Sequence, residues 1–341
     1  MNALIAAGAP WPGAVAVSGG GDSVALMHLL AAWAKKSRVA PPHVVTVDHG
    51  LRADSAADAR RVVRWAKSAG LKSKALRWKG ARPKSDIEAA AREARYRLMG
   101  EWARRNGIAA LYVAHTRDDQ AETFLLRLMR GSGLDGLAAM RALTRYPLSE
   151  FAELSLVRPL LSLERSLVRA HLESLGHDWL EDAMNADDRF ARARLRKAWP
   201  ALEGAGLDKQ RLASAATHLA RAREALEEVT AAVLRRACRR SGKGVLVDRA
   251  ALVSAPREIG LRALAQLLML VSGHPYRPRF ERLERLFDRL SADALGGGAT
   301  LHGCRVYFAP RKEGAFGPET LAIVPENARR AAKKAKRGVT R

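Results

Sequence analysis

Between residues 14 and 157 short apolar runs alternate with longer amphipathic stretches, and no other feature of the chain restricts its fold as much. Residues 14–17, 44–47, 75–78, 111–114 and 155–157 have the length and apolar content of buried strands. The intervening stretches 22–35, 54–69, 85–106 and 117–130 carry apolar residues at helical spacing. Strands joined through helices run parallel, and a parallel sheet needs cover on both faces, so the expectation is an α/β, parallel, doubly wound sheet. Ligands of such sheets bind beyond the carboxyl ends of the strands. The residues after each run are therefore the ones to read: Ser18 to Ser23, Asp48 to Arg52, and His115 to Thr123. All three groups belong on one edge of the sheet.

Beyond about residue 200 the pattern becomes helical. Residues 209–240 form one long helical stretch, and 259–272 is strongly apolar through Leu261, Leu264, Leu267, Leu268 and Leu270. Phe280, Leu283, Leu286, Phe287 and Leu290 recur at helical spacing until Gly296-Gly297-Gly298 interrupts them. Residues 299–310 read as a strand, half of a hairpin with the segment around 321–324. The expected domains are an α/β domain at 1–203, a helical domain at 204–292, a small β element at 293–327 and a basic tail at 328–341.

Charge and cysteine usage narrow the setting. The 341 residues include 59 basic and 35 acidic side chains, a formal charge of +24, with a 48% apolar fraction that suffices for a packed core. Such an excess repels itself, which points to a polyanionic partner. Arg- and Ala-rich genome bias adds arginine without a partner but does not account for so uneven a balance. Nucleic acid is favoured over membrane, because no basic amphipathic helix carries Trp or Phe anchors and no apolar run approaches the ~20 residues of a bilayer span. The last 14 residues hold seven basic side chains and no acidic one, as a solvated tail or an RNA contact would. Cys238 and Cys304 form neither a C-x-x-C pair nor a zinc spacing, and Met1 leads directly into an apolar run read as a strand. The expected location is the reducing cytoplasm. A homodimer stays open.

Two motifs carry chemistry. Ser18-Gly19-Gly20-Gly21-Asp22-Ser23 leaves a strand and enters a helix. Consecutive glycines let backbone N–H groups turn inward as a nest for phosphate oxygens, and the helix directs its positive end to the same place. Ser18 and Ser23 add hydroxyls, and Asp22 suits a magnesium ion bridging those phosphates. The plain alternative is a tight turn with Asp22 as a cap. The second motif is His115-Thr116-Arg117-Asp118-Asp119-Gln120-Ala121-Glu122-Thr123. On a helix His115, Asp119 and Glu122 share one face, where two carboxylates seat an ammonium or take its proton. A metal site is the competing reading, and acidic enrichment at a helix start is the plain one.

The glycine hexapeptide resembles the S-G-G-x-D-S loop of the ATP-pyrophosphatase (PP-loop) family, and the acidic string resembles the H-x-x-D-D-Q-x-E-T signature of tRNA(Ile)-lysidine synthetases. Val47-Asp48-His49-Gly50-Leu51-Arg52, Ala91-Arg92-Glu93-Ala94-Arg95-Tyr96, Arg130-Gly131-Ser132-Gly133-Leu134 and Arg158-Pro159-Leu160-Leu161 follow in that family's order, so the likeness spans about residues 14–200. Glu181-Asp182-Ala183-Met184-Asn185 departs from the pattern, with Met184 where Ser is common and Ala193 where Asn is usual; Asn185, Asp187, Phe190, Arg192 and Arg196 are retained.

The resemblance implies a Rossmann-like sheet of the adenine nucleotide alpha hydrolase type, followed by a mainly helical C-terminal region with a small β element. It implies cleavage of ATP between the α and β phosphates, with Mg²⁺. The substrate would be the wobble cytidine of tRNA(Ile) with a CAU anticodon: adenylated at O2, then attacked at C2 by free L-lysine to give lysidine. Ser18, Gly19, Gly20, Gly21, Asp22 and Ser23, with Asp48 and His49, would hold the nucleotide, and Asp22 the metal. Asp119 and Glu122 would bind and deprotonate the lysine ammonium, while His115, Arg95 and Arg192 would steady the adenylated intermediate or AMP. Arg235, Arg236, Arg239 and Arg240 suit RNA backbone contacts. Rival enzymes of this fold fit less well: thiolases need paired cysteines, and glutamine-dependent synthetases need a nucleophilic cysteine or a glutaminase. A non-catalytic RNA-binding protein would not need Asp22, His115, Asp119 and Glu122 together.

Overall fold

In the computed structural model, whose described residues are 1–50, 54–79, 87–181 and 191–326, the strands lie where the apolar runs place them. Helix α1 (Asn2–Ala6), strand β1 (Ala14–Ala16), α2 (Gly21–Ser37), β2 (His43–Asp48), α3 (Ser55–Ser68) and β3 (Ser73–Arg77) come first. Then follow α4 (Ile87–Arg105), β4 (Ala110–Tyr112), α5 (Arg117–Leu128), α6 (Leu134–Leu137), β5 (Leu143–Arg145) and β6 (Ser155–Val157). Helices α7 (Arg165–Ser174), α8 (Ala191–Gly204) and α9 (Lys209–Ala237) complete this part. The expected opening strand is instead α1: its alanine-rich sequence favours a helix, and Leu4 and Ile5 still reach the apolar core.

The sheet has the order β3-β2-β1-β4-β6-β5, parallel except for β5, which pairs antiparallel with β6 on the edge. Side chains alternate across it. Val15, Val44, Tyr112 and Val157 face Val24, Met27 and Leu30 of α2, Val62 of α3, and Val168 and Leu172 of α7. Their chain neighbours Ala14, Val45, Leu111 and Leu156 face the other way, against Tyr96, Met99 and Ala103 of α4. Both faces are apolar at the centre of the sheet, so β1 and β4 read as continuous apolar runs, whereas the edge strands β3 and β5 carry Lys74, Arg77 and Arg145. The chain winds outward from β1 to β3 and returns to β4 on the other side of β1, which opens a crevice at the carboxyl ends of β1 and β4.

The chain divides into two compact units, Met1–Ala220 and Arg221–Arg341. The division falls inside α9, later than the expected boundary after residue 203, because Leu212 near the start of α9 packs with Leu125 of α5 and Trp199 of α8 in the first unit. The second unit adds β7 (Cys238–Ser241), β8 (Gly244–Asp248), α10 (Arg249–Val253), α11 (Arg257–Ser272), α12 (Phe280–Ser291), β9 (Ala299–Leu301), β10 (Cys304–Phe308) and β11 (Thr320–Pro325). Its strands form one antiparallel sheet, ordered β7-β8-β11-β10-β9. The expected hairpin is β10 with β11, but residues 299–308 are two strands, β9 and β10, joined by a tight turn. Because β8 pairs with β11, the expected helical segment and β element share one sheet. Leu261, Leu264, Leu267 and Leu268 of α11 and Leu283, Leu286, Phe287 and Leu290 of α12 cover it, while Leu270 points outward. Cys238 and Cys304 are free thiols. No helix among the described residues is long and apolar enough to cross a membrane. The tail at 328–341, Arg52, Met184, Asn185, Asp187 and Phe190 lie outside the described residues.

Candidate active site

The glycine loop joins β1 to α2. Ser23 Oγ donates to the Gly20 carbonyl at 2.8 Å, accepts the Ser18 N–H at 3.2 Å and lies 3.2 Å from Ser18 Oγ, so the two serines brace the loop from within. Gly19 has φ +97°, and a Cβ there would stand 2.4 Å from Leu180 Cδ1, so both backbone and space exclude a side chain. Gly20 is different. Its φ of −67° suits any residue, and a Cβ there would meet only Ser18 Oγ at 3.7 Å. Neither conformation nor packing asks for glycine at 20, whereas close approach of a ligand to the backbone does. Leu180 donates its N–H to the Gly19 carbonyl at 2.9 Å and Trp179 packs over Gly21, so the 179–180 segment backs the loop.

The acidic string sits at the start of α5. His115 precedes the helix, Thr116 is its N-cap, and Asp119 closes a capping box by accepting the Thr116 N–H at 2.8 Å and hydroxyl at 2.9 Å. The expected single face of His115, Asp119 and Glu122 thus holds for the two carboxylates but not for the imidazole. Gln120 exchanges two hydrogen bonds with the Met140 backbone and is a structural brace. Glu122 is 1% exposed.

Arg165, the first residue of α7, joins these pieces. Its Nε donates to Asp22 Oδ2 at 3.0 Å, Nη2 to Asp119 Oδ1 at 2.9 Å and Nη1 to Glu122 Oε1 at 3.1 Å. Its backbone N–H donates to Asp118 Oδ2 at 2.8 Å. Burial works against the guanidinium's charge, and the carboxylates outweigh it, holding the pKa above the ordinary arginine value. Arg196 of α8 also clasps Glu122, at 2.7 and 3.1 Å, rather than standing open to phosphate. Lys209 pairs with Asp118 at 3.0 Å, and Arg117 pairs with Glu164 beside Arg165. Reading the sequence missed Arg165 and Lys209. Among 59 basic side chains neither carries a distinguishing local signal, and only the spacing of Arg165 after Arg158-Pro159-Leu160-Leu161 marks it.

The remaining expected residues occupy the margins. Asp48 ends β2 and accepts the Ser55 hydroxyl at 2.6 Å and the Gly50 N–H at 3.0 Å. Burial raises its pKa; these bonds, Arg77 and His49 more than offset that and hold it below the usual carboxylate range. His115 is pushed down to about 4, first by burial and then by Arg158, Arg92 and Arg192, against the opposing pull of Asp119. It is a neutral imidazole, and its Nδ1 has no hydrogen-bond partner among the described residues. Arg192 is exposed on α8 within electrostatic reach of His115; Arg95 is exposed on α4, where Arg92 supplies the charge that acts on the imidazole.

Among the described residues no group of three or more His, Cys, Asp or Glu side chains could hold a metal alone. Magnesium does not require one, since it takes one or two carboxylates together with phosphate oxygens. Asp22 fits that use. Its Oδ1 is buried without a hydrogen-bond partner among the described residues, 3.9 Å from Arg169 Nε, and it sits in the first turn of α2 beside the glycine loop.

Comparison with known proteins follows the same lines. The PP-loop domain family matches residues 11–202. The tRNA(Ile)-lysidine synthase of Ruegeria pomeroyi is 41% identical over 304 residues, 86% of this chain and 71% of that protein. The chain belongs to the tRNA(Ile)-lysidine synthase family. The synthase of Wolbachia pipientis wMel is 37% identical over 93% of this chain and 71% of its own, and that of Methylobacterium nodulans 40% over 93% and 91%. Among solved structures the U34-tRNA thiolase NcsA of Methanococcus maripaludis aligns at TM-score 0.49 and 14% identity, covering 61% of this chain and 72% of that one. Membership in the lysidine synthase family rests on the domain match and the relatives, not on that likeness. The family makes this chain an ATP-dependent ligase of tRNA modification.

Proposed function

We propose that the chain ligates L-lysine to C2 of the wobble cytidine in tRNA(Ile) with a CAU anticodon, at the expense of ATP. The observation that supports this most is the grouping of Asp22, Asp119 and Glu122 around one cation beside a glycine loop shaped for phosphates. Adenylation and amine transfer need those two capacities side by side.

In the first step cytosine O2 attacks the α-phosphorus of ATP and pyrophosphate leaves. The Ser18–Ser23 loop binds the phosphates through backbone N–H groups and hydroxyls at the positive end of α2. Asp22 would hold Mg²⁺, which supplies charge neutralisation at the phosphates. In the second step the lysine ε-amine forms a bond to C2, the C2–O2 bond breaks, and AMP departs with that oxygen. The ammonium must lose a proton before it attacks, and Asp119 and Glu122 are the carboxylates placed to seat it and receive that proton. His115, uncharged at neutral pH, can accept a hydrogen bond at one ring nitrogen while donating from the other. Arg192 and Arg95 would balance the phosphate of the adenylated intermediate or of AMP.

The direct test is transfer of radiolabelled lysine to unmodified tRNA(Ile) with a CAU anticodon, with and without ATP, beside a methionine tRNA sharing that anticodon. ATP-dependent labelling of tRNA(Ile) alone is expected. Release of pyrophosphate without labelling would keep the adenylation and remove lysine as the nucleophile.

A further inference from the structure

The three carboxylates assigned to cations in the proposed reaction are gathered on a cation that the protein itself supplies. Each nitrogen of the Arg165 guanidinium serves a different one: Nε serves Asp22, Nη2 serves Asp119 and Nη1 serves Glu122, at 3.0, 2.9 and 3.1 Å. An alkylammonium has three N–H donors and one positive charge, so it can meet Asp119 and Glu122 in the guanidinium's place. We propose that Arg165 is the resident cation of the ammonium seat, that the substrate ammonium displaces its guanidinium, and that Arg165 thereby sets the threshold for which amines enter. The inference rests on the reading of Asp119 and Glu122 as the ammonium-binding pair.

The geometry allows the exchange. The backbone of Arg165 is anchored independently, through its N–H to Asp118, so its side chain can leave without releasing α7. A cavity of about 770 Å³ is lined by Arg165 and Glu122 together with Arg117, Arg169, Arg196 and Lys209 and with Glu164, Glu173, Glu203 and Asp208; it gives a displaced guanidinium space, and Glu173 a carboxylate to meet. Glu122 is not stranded when Arg165 departs, because Arg196 holds both of its oxygens. Arg169, one turn along α7, remains 3.9 Å from Asp22. A tethered cation competes at an effective concentration on the order of millimolar. A bare amine brings only its charge against that competitor. An amino acid with further contacts can prevail.

The alternative is that Arg165 stays in place and merely positions the carboxylates. The full chain carrying Arg165→Ala separates the two, using methylguanidinium as a probe of the seat. For R165A we expect the KM for lysine to fall about tenfold and lysine alone to raise the thermal midpoint more than in wild type. Methylguanidinium should then raise the lysine KM of R165A competitively, leave its kcat unchanged, and have no effect on wild type. Arg165→Lys restores a tethered cation and should regain the wild-type KM. Arg165→Gln, which keeps two donors in a similar volume, takes the place of R165A if circular dichroism shows that variant unfolded. Recovery of kcat by methylguanidinium with no rise in lysine KM would show a fixed positioning role and overturn the proposal, as would a lysine KM indifferent to the probe. A wild-type chain that transfers no lysine to tRNA(Ile) instead removes the functional reading itself.

Discussion

Glu122 illustrates how much of the site depends on single residues. It is 1% exposed and accepts three charged hydrogen bonds, from Arg165 and Arg196. Glu122→Ala removes one of three carboxylates from Arg165, takes the carboxylate from Arg196 and leaves a cavity, at a cost of about 3 kcal/mol. The expected result is a clear fall in the urea midpoint. Glu122→Gln keeps the shape and one accepting oxygen, so its midpoint should fall less while lysine transfer drops on the order of 100-fold. Equal stability losses in both variants would mean that charge alone, not volume, is what Glu122 supplies. His115 gives the pH prediction. Its pKa is about 4 in the fold, against about 6.5 in the unfolded chain. Between those values the unfolded chain binds a proton that the folded chain does not, so stability rises with pH across that window and is lost as pH falls from about 6.5 to about 4. Wild type should lose more stability than His115→Gln over that range, and the two thermal midpoints should run parallel above pH 7.

Elements place these residues, and loops and caps place the elements. Gly19→Ala would force a side chain into a φ of +97° and against Leu180, which packs on the loop. Left-handed strain alone costs on the order of 1–3 kcal/mol, so the loop should shift instead, and the KM for ATP is expected to rise at least tenfold with the KM for lysine little changed. An unaltered ATP KM would disconnect this loop from the nucleotide. The Thr116–Asp119 capping box works in the opposite sense, since Asp119 both caps α5 and meets Arg165. The motif was legible in the sequence as a cluster, but its helical register was not: His115 falls before the cap, so it approaches the site from the end of β4 and not along the helix face. Periodicity marks which stretch is helical and leaves the first turn uncertain, because capping residues satisfy backbone donors in a non-helical conformation.

At the scale of the whole molecule, charge is the dominant fact. An excess of +24 makes RNA association electrostatic, and each phosphate neutralised releases counterions. Four such contacts would weaken tRNA binding about 100-fold between 50 and 200 mM salt, while the KM for ATP, held by the enclosed loop, should change little. Filter binding across that range decides it, and a salt-insensitive tRNA affinity would remove the polyanion argument. The segments 204–292 and 293–327 look different in sequence, yet β8 and β11 pair in register across them, Val247 against Leu321 and Val245 against Ile323. Strand pairing over such a separation has no local signature.

The amino-acid sequence alone determined the alternating α/β framework, the phosphate loop, the acidic string and the positive charge, since each is carried by neighbouring residues or by composition. Only the tertiary structure decided what faces what inside the site. Arg165 lies 143 residues from Asp22, 46 from Asp119 and 43 from Glu122, and they meet because β4 returns beside β1 and brings the starts of α2, α5 and α7 together. One arginine among 59 basic residues becomes the centre of the site through that return alone. Hydrophobic periodicity is set by the nearest turn of backbone, whereas pairing between charges is set by the order of strands in the sheet.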